Sequence, residues 1–423
     1  MARPTITRKT KKTVFVRKDT LGHTIDWTPL VTGYDVKLFL NAEDVPFDEW
    51  QKLNHTGNVF TDLSYLRGLQ HTAPPEMDFV YVILRKNKKI IAGYIFQAIH
   101  LSSEVLSDIL EPLTKQKSIV AGLSEWLTRC KEEKGMRVLI SGNNFVSGEH
   151  GVLVAPGADP NEAFEQLSEI VKLVVKTSIT PVKISVILVK DYYSAHPERP
   201  EELLKKKRYH AFAVEPEMIV SIDASWVDFN AYLLSMSKKY RNRGKTVLKN
   251  SAQLVEHHLD EAGIRKNLDV LHVLYMNMHA KARFRLSALT PEYFAEMKRR
   301  FPARFGVITY TLNNEIVAFR SFFINENQLE AHFIGVDYEL NREFNLYQRI
   351  LYDFVNDAIL TGRTELLLGR TAAEIKSTIG AVPSDLRCYI RHRNSFSNQV
   401  IRPFIDYLKP TTWTPRSPFR LDG

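Results

Sequence analysis

Cysteine is almost absent: Cys130 and Cys388 are the only two in 423 residues. One pair offers no disulfide framework and no thiolate cluster for a metal, so a reducing, cytoplasmic setting is expected. No apolar run approaches the roughly 18 residues that a membrane span needs. The opening MARPTITRKTKKTVFVRK lacks the apolar core of a signal peptide. Phosphate-cradling and nucleophile motifs are missing too: there is no G-x-G-x-x-G, no G-x-x-x-x-G-K-S/T and no G-x-S-x-G. His257 and His258 adjoin without an H-E-x-x-H or a cysteine pair around them, so no metal site is expected. Neither cysteine sits in a motif that suggests a nucleophile.

What is there reads as a globular chain, with 44% hydrophobic, 11% aromatic and 25% charged residues. The length suffices for two domains with sizeable cores. Lys and Arg outnumber Asp and Glu by 57 to 48, a net charge of +9. That balance favours an anionic partner: nucleic acid, a phosphate-bearing cofactor or an acidic membrane surface. Seven of these cations and no acid fall in residues 1–18, expected to be a basic flexible arm.

One pattern occurs twice. VILRKNKKIIAGYIF (Val82 to Phe96) and ITYTLNNEIVAFRSF (Ile308 to Phe322) each read as strand, polar turn with Asn, strand. Ile90, Ile91 and Ala92 match Ile316, Val317 and Ala318 at a spacing of 226. GMRVLISGN (from Gly135) resembles GRTELLLGR (from Gly362) at a spacing of 227. Two halves are therefore expected, 19–223 and 224–423. The second alternates helices, the hairpin, the strand QLEAHFIGV and a helix with Tyr347, Ile350, Leu351, Phe354, Val355 and Ala358 on one face. A mixed α/β (α+β) fold with a central sheet flanked by helices follows.

The halves differ at LLLGRTAAEIKSTIGA, Leu366 to Ala381. A buried strand ends at Gly369. A short helix is expected next, with Thr371 as cap, Glu374 reaching back and Gly380 as stop. Lys376 falls on its apolar side with Ala372, Ile375 and Ile379. Either its stem covers apolar surface while the ammonium reaches water, or it is a fixed cation that stabilises a developing oxyanion. Arg370, at the strand end, can hold a phosphate or carboxylate. Alternation along LEAHFIG puts Glu330 and His332 on one face, a candidate base for an attacking amine, against a purely structural histidine. With a tight turn at Asn325 and Gln328, Arg320 lies on the face opposite His332, unless a bulge intervenes. Lys238, Arg241, Lys245 and Lys249 form a basic stripe on one helix, opposite Phe229, Met236, Tyr240 and Val247, either solvated or a docking surface for phosphates. KARFRLS adds Arg283 and Arg285 around Phe284.

The element order resembles the GNAT (Gcn5-related N-acetyltransferase) fold. The repeat, KKYRNRGK and the glycine strand end before EIKSTIGA are similar to its double-GNAT branch. That branch includes Fem-type peptidoglycan aminoacyltransferases and acetyltransferase-like proteins found beside alpha-oxoamine synthases. The resemblance implies two tandem GNAT-like domains and an N-acyltransferase in which an amine attacks an activated acyl group directly. It places Lys376 in the cleft, steadying the reacting centre. The acyl donor, a co-substrate and not a resident cofactor, would be acyl-coenzyme A (acyl-CoA), an acyl carrier protein or aminoacyl-tRNA. The acceptor would be a long-chain amino lipid or a cell-wall precursor. The GNAT pyrophosphate turn is reduced in GVDYELNREFNLYQ to Gly335, with Arg342 as the remaining cofactor-side candidate, so weak binding of free coenzyme A is expected. Peripheral contact with an anionic membrane, at its inner face, and with tRNA fits the basic stripe. The rival expectation is a non-catalytic binder of nucleic acid or anionic membrane.

Overall fold

The computed structural model describes residues 17–18, 24–27, 33–107, 135–176, 183–195, 201–281, 286–410 and 412–419. Most of the basic arm, Cys130, Arg283 and Arg285 lie outside these residues. The N-terminal strands are β1 (Arg17–Lys18), β2 (Thr24–Trp27), β3 (Tyr34–Phe39), β4 (Met77–Lys86), β5 (Lys89–Leu101), β6 (Met136–Ser141), β7 (Val152–Val154), β8 (Ile184–Tyr193) and β9 (His210–Ser221). The C-terminal ones are β10 (Val255–His258), β11 (Phe305–Leu312), β12 (Glu315–Asn325), β13 (Gln328–Val336), β14 (Glu365–Leu367) and β15 (Val382–His392).

The repeated pattern folds twice into one hairpin geometry. β4 and β5 turn on Asn87 and Lys88, β11 and β12 on Asn313 and Asn314, and all four have φ between 50° and 69°. Two consecutive left-handed residues match the twist of a hairpin, and asparagine tolerates that conformation best after glycine. Each hairpin also carries an extra residue in the same place. Leu84 pairs with Ala92 but Arg85 with Ile90, leaving out Ile91. Tyr310 pairs with Ala318 but Thr311 with Ile316, leaving out Val317. Ile91 and Val317 are the residues that the spacing of 226 aligns.

The second sequence match joins strands that are not equivalent. β6 runs antiparallel to β5, as β13 does to β12, and β8 runs parallel to β6, as β14 does to β13. By topology β6 corresponds to β13, and β14 to β8. Short apolar strands closed by glycine resemble one another when their neighbours are unseen.

One sheet runs through both halves in the order β1-β2-β3-β4-β5-β6-β8-β15-β9-β14-β13-β12-β11-β10, with β7 beside β5. At the seam the halves trade strands. β15, from the C-terminal half, lies between β8 and β9, and β9, from before residue 223, pairs with β15 and β14. The helix Pro160–Lys176 covers one face of the first half and Leu346–Leu360 one face of the second. On the opposite side a shared core joins Trp50, Phe60 and Tyr65 to Tyr293, Phe294 and Phe323. Polar bonds cross it as well: Asn325 Oδ1 accepts from Val59 N–H at 3.0 Å and Thr290 Oγ1 donates to Thr72 C=O at 2.8 Å. No helix among the described residues is long and apolar enough to cross a membrane.

Candidate active site

The sheet opens between β13 and β14. Gln328, Leu329 and Glu330 pair with Glu365, Leu366 and Leu367, and the pairing stops there. Leu368 follows β9 instead: its N–H donates to Met218 C=O at 2.9 Å, and Met218 N–H donates to Gly369 C=O at 3.2 Å. The gap is a cavity of about 530 Å³, within the size range of small-molecule sites. One wall is Glu330 to Ile334 of β13; the other is Leu368 to Thr371 with Lys376. Its floor is apolar: Val138, Val186, Leu188, Val214 and Ile390 come from four strands of the seam and the first half.

Lys376 neither reaches water nor offers a free charge. It is buried, and Nζ donates to three carbonyls, Leu368 at 2.7 Å, Gly369 at 3.1 Å and Arg370 at 2.7 Å. An ammonium has three donors, so all are engaged. Burial lowers its pKa to about 7, against the pull of Glu217 and Glu215. The three carbonyls belong to a strained turn. Gly369, Thr371 and Ala372 have φ of 68°, 67° and 51°, and a non-glycine residue held there costs on the order of 1 kcal/mol or more. Lys376 offsets that strain by gathering the turn's carbonyls. The expected cap is therefore absent: Ala372 precedes the helix Ala373–Ser377 with no side-chain cap bond, and Glu374 pairs outward with Arg416. Gly380 ends the turn at φ 99°, as expected of a stop.

Arg370 lines the cavity and pairs with Asp191 at 3.0 Å. Burial would raise the Asp191 carboxyl, but Arg370 and Lys190 outweigh it and hold it below the usual range. Lys190 also donates to Val146 C=O at 2.7 Å. The acids on the other side behave oppositely. Withdrawal from water and the charge of Glu217 push Glu330 up to about 8, with Asn325 Nδ2 donating at 3.3 Å. Burial likewise raises Glu217, which accepts from the Tyr193 hydroxyl. Two facing carboxyls in low dielectric do not both ionise easily.

A bulge shapes β13. Phe322 pairs with Ala331 but Arg320 with Ile334, and Ser321 Oγ bridges the extra residue, donating to Phe333 C=O at 2.9 Å and accepting its N–H at 3.0 Å. His332 and Phe333 pack on the side of the shared core, while Ala331 and Ile334 pack toward the helix Leu346–Leu360, and all four border the cavity. His332 is stacked or edge-on to Phe60, Phe305 and Phe323 at 5.1–6.0 Å between ring centres. Its Nε2 meets the Tyr293 hydroxyl at 2.7 Å, and burial lowers its pKa to about 3, leaving a neutral ring. Glu330 bonds Asn325 and His332 bonds Tyr293, so the two do not form the expected dyad.

Several expected binding residues lie elsewhere. Arg320 does face away from His332, but it is 2% exposed, and its guanidinium pairs with Asp357 at 2.8 Å and Glu256 at 2.9 Å. It is a structural cation whose donors are held by carboxylates. Arg241 and Lys245 line neither large cavity, and Lys245 is exposed. Gly335 is a packing residue, where a Cβ would come within 2.4 Å of Phe319 and 2.6 Å of Leu274. Arg342 sits exposed on the helix Tyr338–Phe344. The N–H groups at that helix start, where a pyrophosphate would bind, already serve Asp337: its Oδ1 accepts from Glu339 at 2.8 Å and Leu340 at 3.5 Å. The sequence reading missed Glu217, Tyr193, Lys190 and Asp191, which strand exchange brings in. The available signal was KD interrupting the apolar strand VKISVILVKDYY.

No family model and no curated protein matches the chain. Solved structures do. FemX has a TM-score of 0.51 at 10% identity over 84% of this chain and 98% of its own. A tandem GNAT protein from the clavulanic acid biosynthesis pathway has a TM-score of 0.49 at 9% identity, over 85% of this chain and 99% of its own. L-PGS from Bacillus licheniformis has a TM-score of 0.46 at 12% identity, over 87% and 97%. At such identities the likeness is one of fold. The fold is a double-GNAT, Fem-like α/β architecture.

Proposed function

We propose that the chain is an N-acyltransferase in which an amine attacks an activated acyl group inside the opened β13–β14 seam. The observation that carries this reading is the carboxyl pair Glu217 and Glu330, held proton-hungry at the polar end of an apolar cavity. An acceptor amine arrives as an ammonium and must lose a proton before it is a nucleophile. That proton passes to an ionised carboxylate of the pair; the nitrogen then bonds to the acyl carbon, and the bond from that carbon to the carrier's sulfur or oxygen breaks as the nitrogen gives up its second proton. The carrier's leaving atom takes up a proton in turn. Lys376 acts here as a positioning residue that fixes the Gly369–Thr371 turn, with Arg370 beside the reacting groups.

The apolar floor favours a long-chain amine or acyl group over a cell-wall precursor, since burying each methylene is worth about 0.8 kcal/mol. Asp337, seated at the helix start that would grip a pyrophosphate, favours a carrier protein or aminoacyl-tRNA over acyl-CoA as donor. Exposed Lys245 and Lys249 leave a basic outer stripe for a phosphate-rich surface, whether tRNA or anionic membrane. The test is to incubate the folded chain with labelled acyl donors of the three kinds and long-chain amines, and to look for amide by mass spectrometry. Amide formation that falls at least a hundredfold in Glu330→Gln is expected. Absence of amide from every donor, or an unchanged rate in that variant, rules the reading out.

A further inference from the structure

A second cleft of about 720 Å³ lies behind the Gly369–Thr371 turn, on the other side of the helix Ala373–Ser377. Its walls are the helix Lys238–Asn250, the strained turn and the segment 412–419. That segment is strapped down and not loose: Ser237 N–H donates to Pro418 C=O at 2.9 Å, and the Phe419 ring lies 5.3 Å from Trp226. Arg416 N–H donates to Ser377 Oγ at 3.0 Å.

Its chemistry is cationic and aromatic. Lys239 and Arg243, one helical turn apart, both face the cleft, and neither is in an ion pair among the described residues. Arg416 adds a third cation, paired with Glu374. Tyr240 and Trp413 are half-buried in the walls, with the Lys239 ammonium 5.5 Å from the Tyr240 ring centre. Glu215 lines this cleft and the apolar cavity alike, and its Oε2 is buried without a hydrogen-bond partner among the described residues. The two spaces therefore meet at Glu215 and share the Thr371–Lys376 segment as a wall.

We propose that this cleft binds a nucleoside phosphate, the recognition end of the acyl donor, with Lys239 and Arg243 on the phosphate and Tyr240 and Trp413 beside the base. Compact and forked cations hold phosphate oxygens, and aromatic faces stack on any base. A donor anchored there presents its acyl end toward Glu215 and the carboxyl pair. This assignment rests on the acyl-transfer reading for its purpose, and it supplies the phosphate grip that the turn at Gly335 lacks.

The experiment is direct titration of the full chain with a fluorescent adenosine diphosphate, independent of turnover. Saturable binding is expected below millimolar concentration. Lys239→Glu and Arg243→Glu, checked for unchanged melting, should each weaken it at least tenfold, and Trp413→Ala at least fivefold. Lys266→Glu, with the same charge change on an exposed helix end outside the cleft, should alter it less than twofold. Displacement by coenzyme A or by a short single-stranded RNA then identifies the source of the nucleotide. No saturable binding, equal weakening by Lys266→Glu, or indifference to Trp413→Ala would each overturn the assignment. Those results stand apart from amide formation, whose absence would leave the nucleotide site intact.

Discussion

The molecule contains two parallel strand pairs in equivalent places, and they differ in how far they stay together. β6 and β8 are registered over five residue pairs, from Arg137 with Ile184 to Ser141 with Val189. β13 and β14 manage three and then part. The closed pair fills its own interior with Leu139, Ile187 and Val189, facing Leu167 and Ile170 of the covering helix. The open pair encloses the cavity. What separates them is where the backbone finds its partners. Past Leu367 the carbonyls turn to Lys376 and Met218, so Leu368, Gly369 and Arg370 keep partners where β13 has lost its neighbour. A site arises where a lysine replaces a strand.

The harshest test of that comparison removes the exchanged strand. Residues from 225 onward lack β9, the strand that pairs with β14 on the side away from β13, and leave β15 without either of its partners. Expressed alone, this piece should fail to give a cooperative melt by circular dichroism. A folded fragment with full activity would show that the two halves are independent.

Next comes the carboxyl pair. Glu330→Gln should lower turnover about a hundredfold, the lower end of what a general base contributes. In the parent chain the rate should rise with pH through about 8 as Glu330 ionises, and the variant should lose that limb. Stability should move the other way. Unfolded Glu330 releases its proton near 4.5 and the folded group near 8, so the native state binds more protons between those values. The parent should therefore lose stability relative to Glu330→Gln as pH rises across that window, measurable by denaturant titration at several pH values.

Lys376→Met keeps the stem but leaves the Leu368 and Arg370 carbonyls of a strained turn unserved, while Gly369 C=O keeps Met218 N–H. A loss of about 3 kcal/mol is expected, because each buried unpaired group costs about 1–3 kcal/mol and water can reach part of the turn. Near-neutral melting would mean that the turn does not need the ammonium, and the seam opens for another reason. The smallest effect is expected from Ser321→Ala, which removes the hydroxyl bridging the bulge and should cost about 1 kcal/mol. A shift in acceptor KM larger than in kcat would further show that the bulge places the cavity wall formed by His332 and Phe333.

The hairpins were legible because their turns are local: Asn87 and Asn313 announce a conformation that two residues settle alone. Lys376 was legible as an anomaly on an apolar stripe, but not its partners, since backbone carbonyls have no letter in a sequence. Arg320 shows a signal that was present and passed over. Asp353 and Asp357 sit at i and i+4 on a buried helix face, and acids there ask for a cation. The basic helix divides in a way that its letters do not mark. Counting charges favoured Arg241 and Lys245, whereas the cleft selects Lys239 and Arg243, which only the packing of segment 412–419 distinguishes. Strand exchange at the seam was beyond reach, because it depends on pairings some 200 residues apart.

That exchange also sets a timetable for synthesis. When β8 leaves the ribosome its seam-side edge has no neighbour, since β15 is encoded roughly 190 residues later. At about 5–20 residues per second the wait is on the order of 10–40 seconds. For that interval a long edge, with Ile184, Val186 and Val189 along it, stands open to any other extended chain, including a second nascent copy. Production of the protein should thus depend on chaperones that shield the growing chain, and crowding ribosomes on one message should favour intermolecular pairing of β8 with a neighbour's β15.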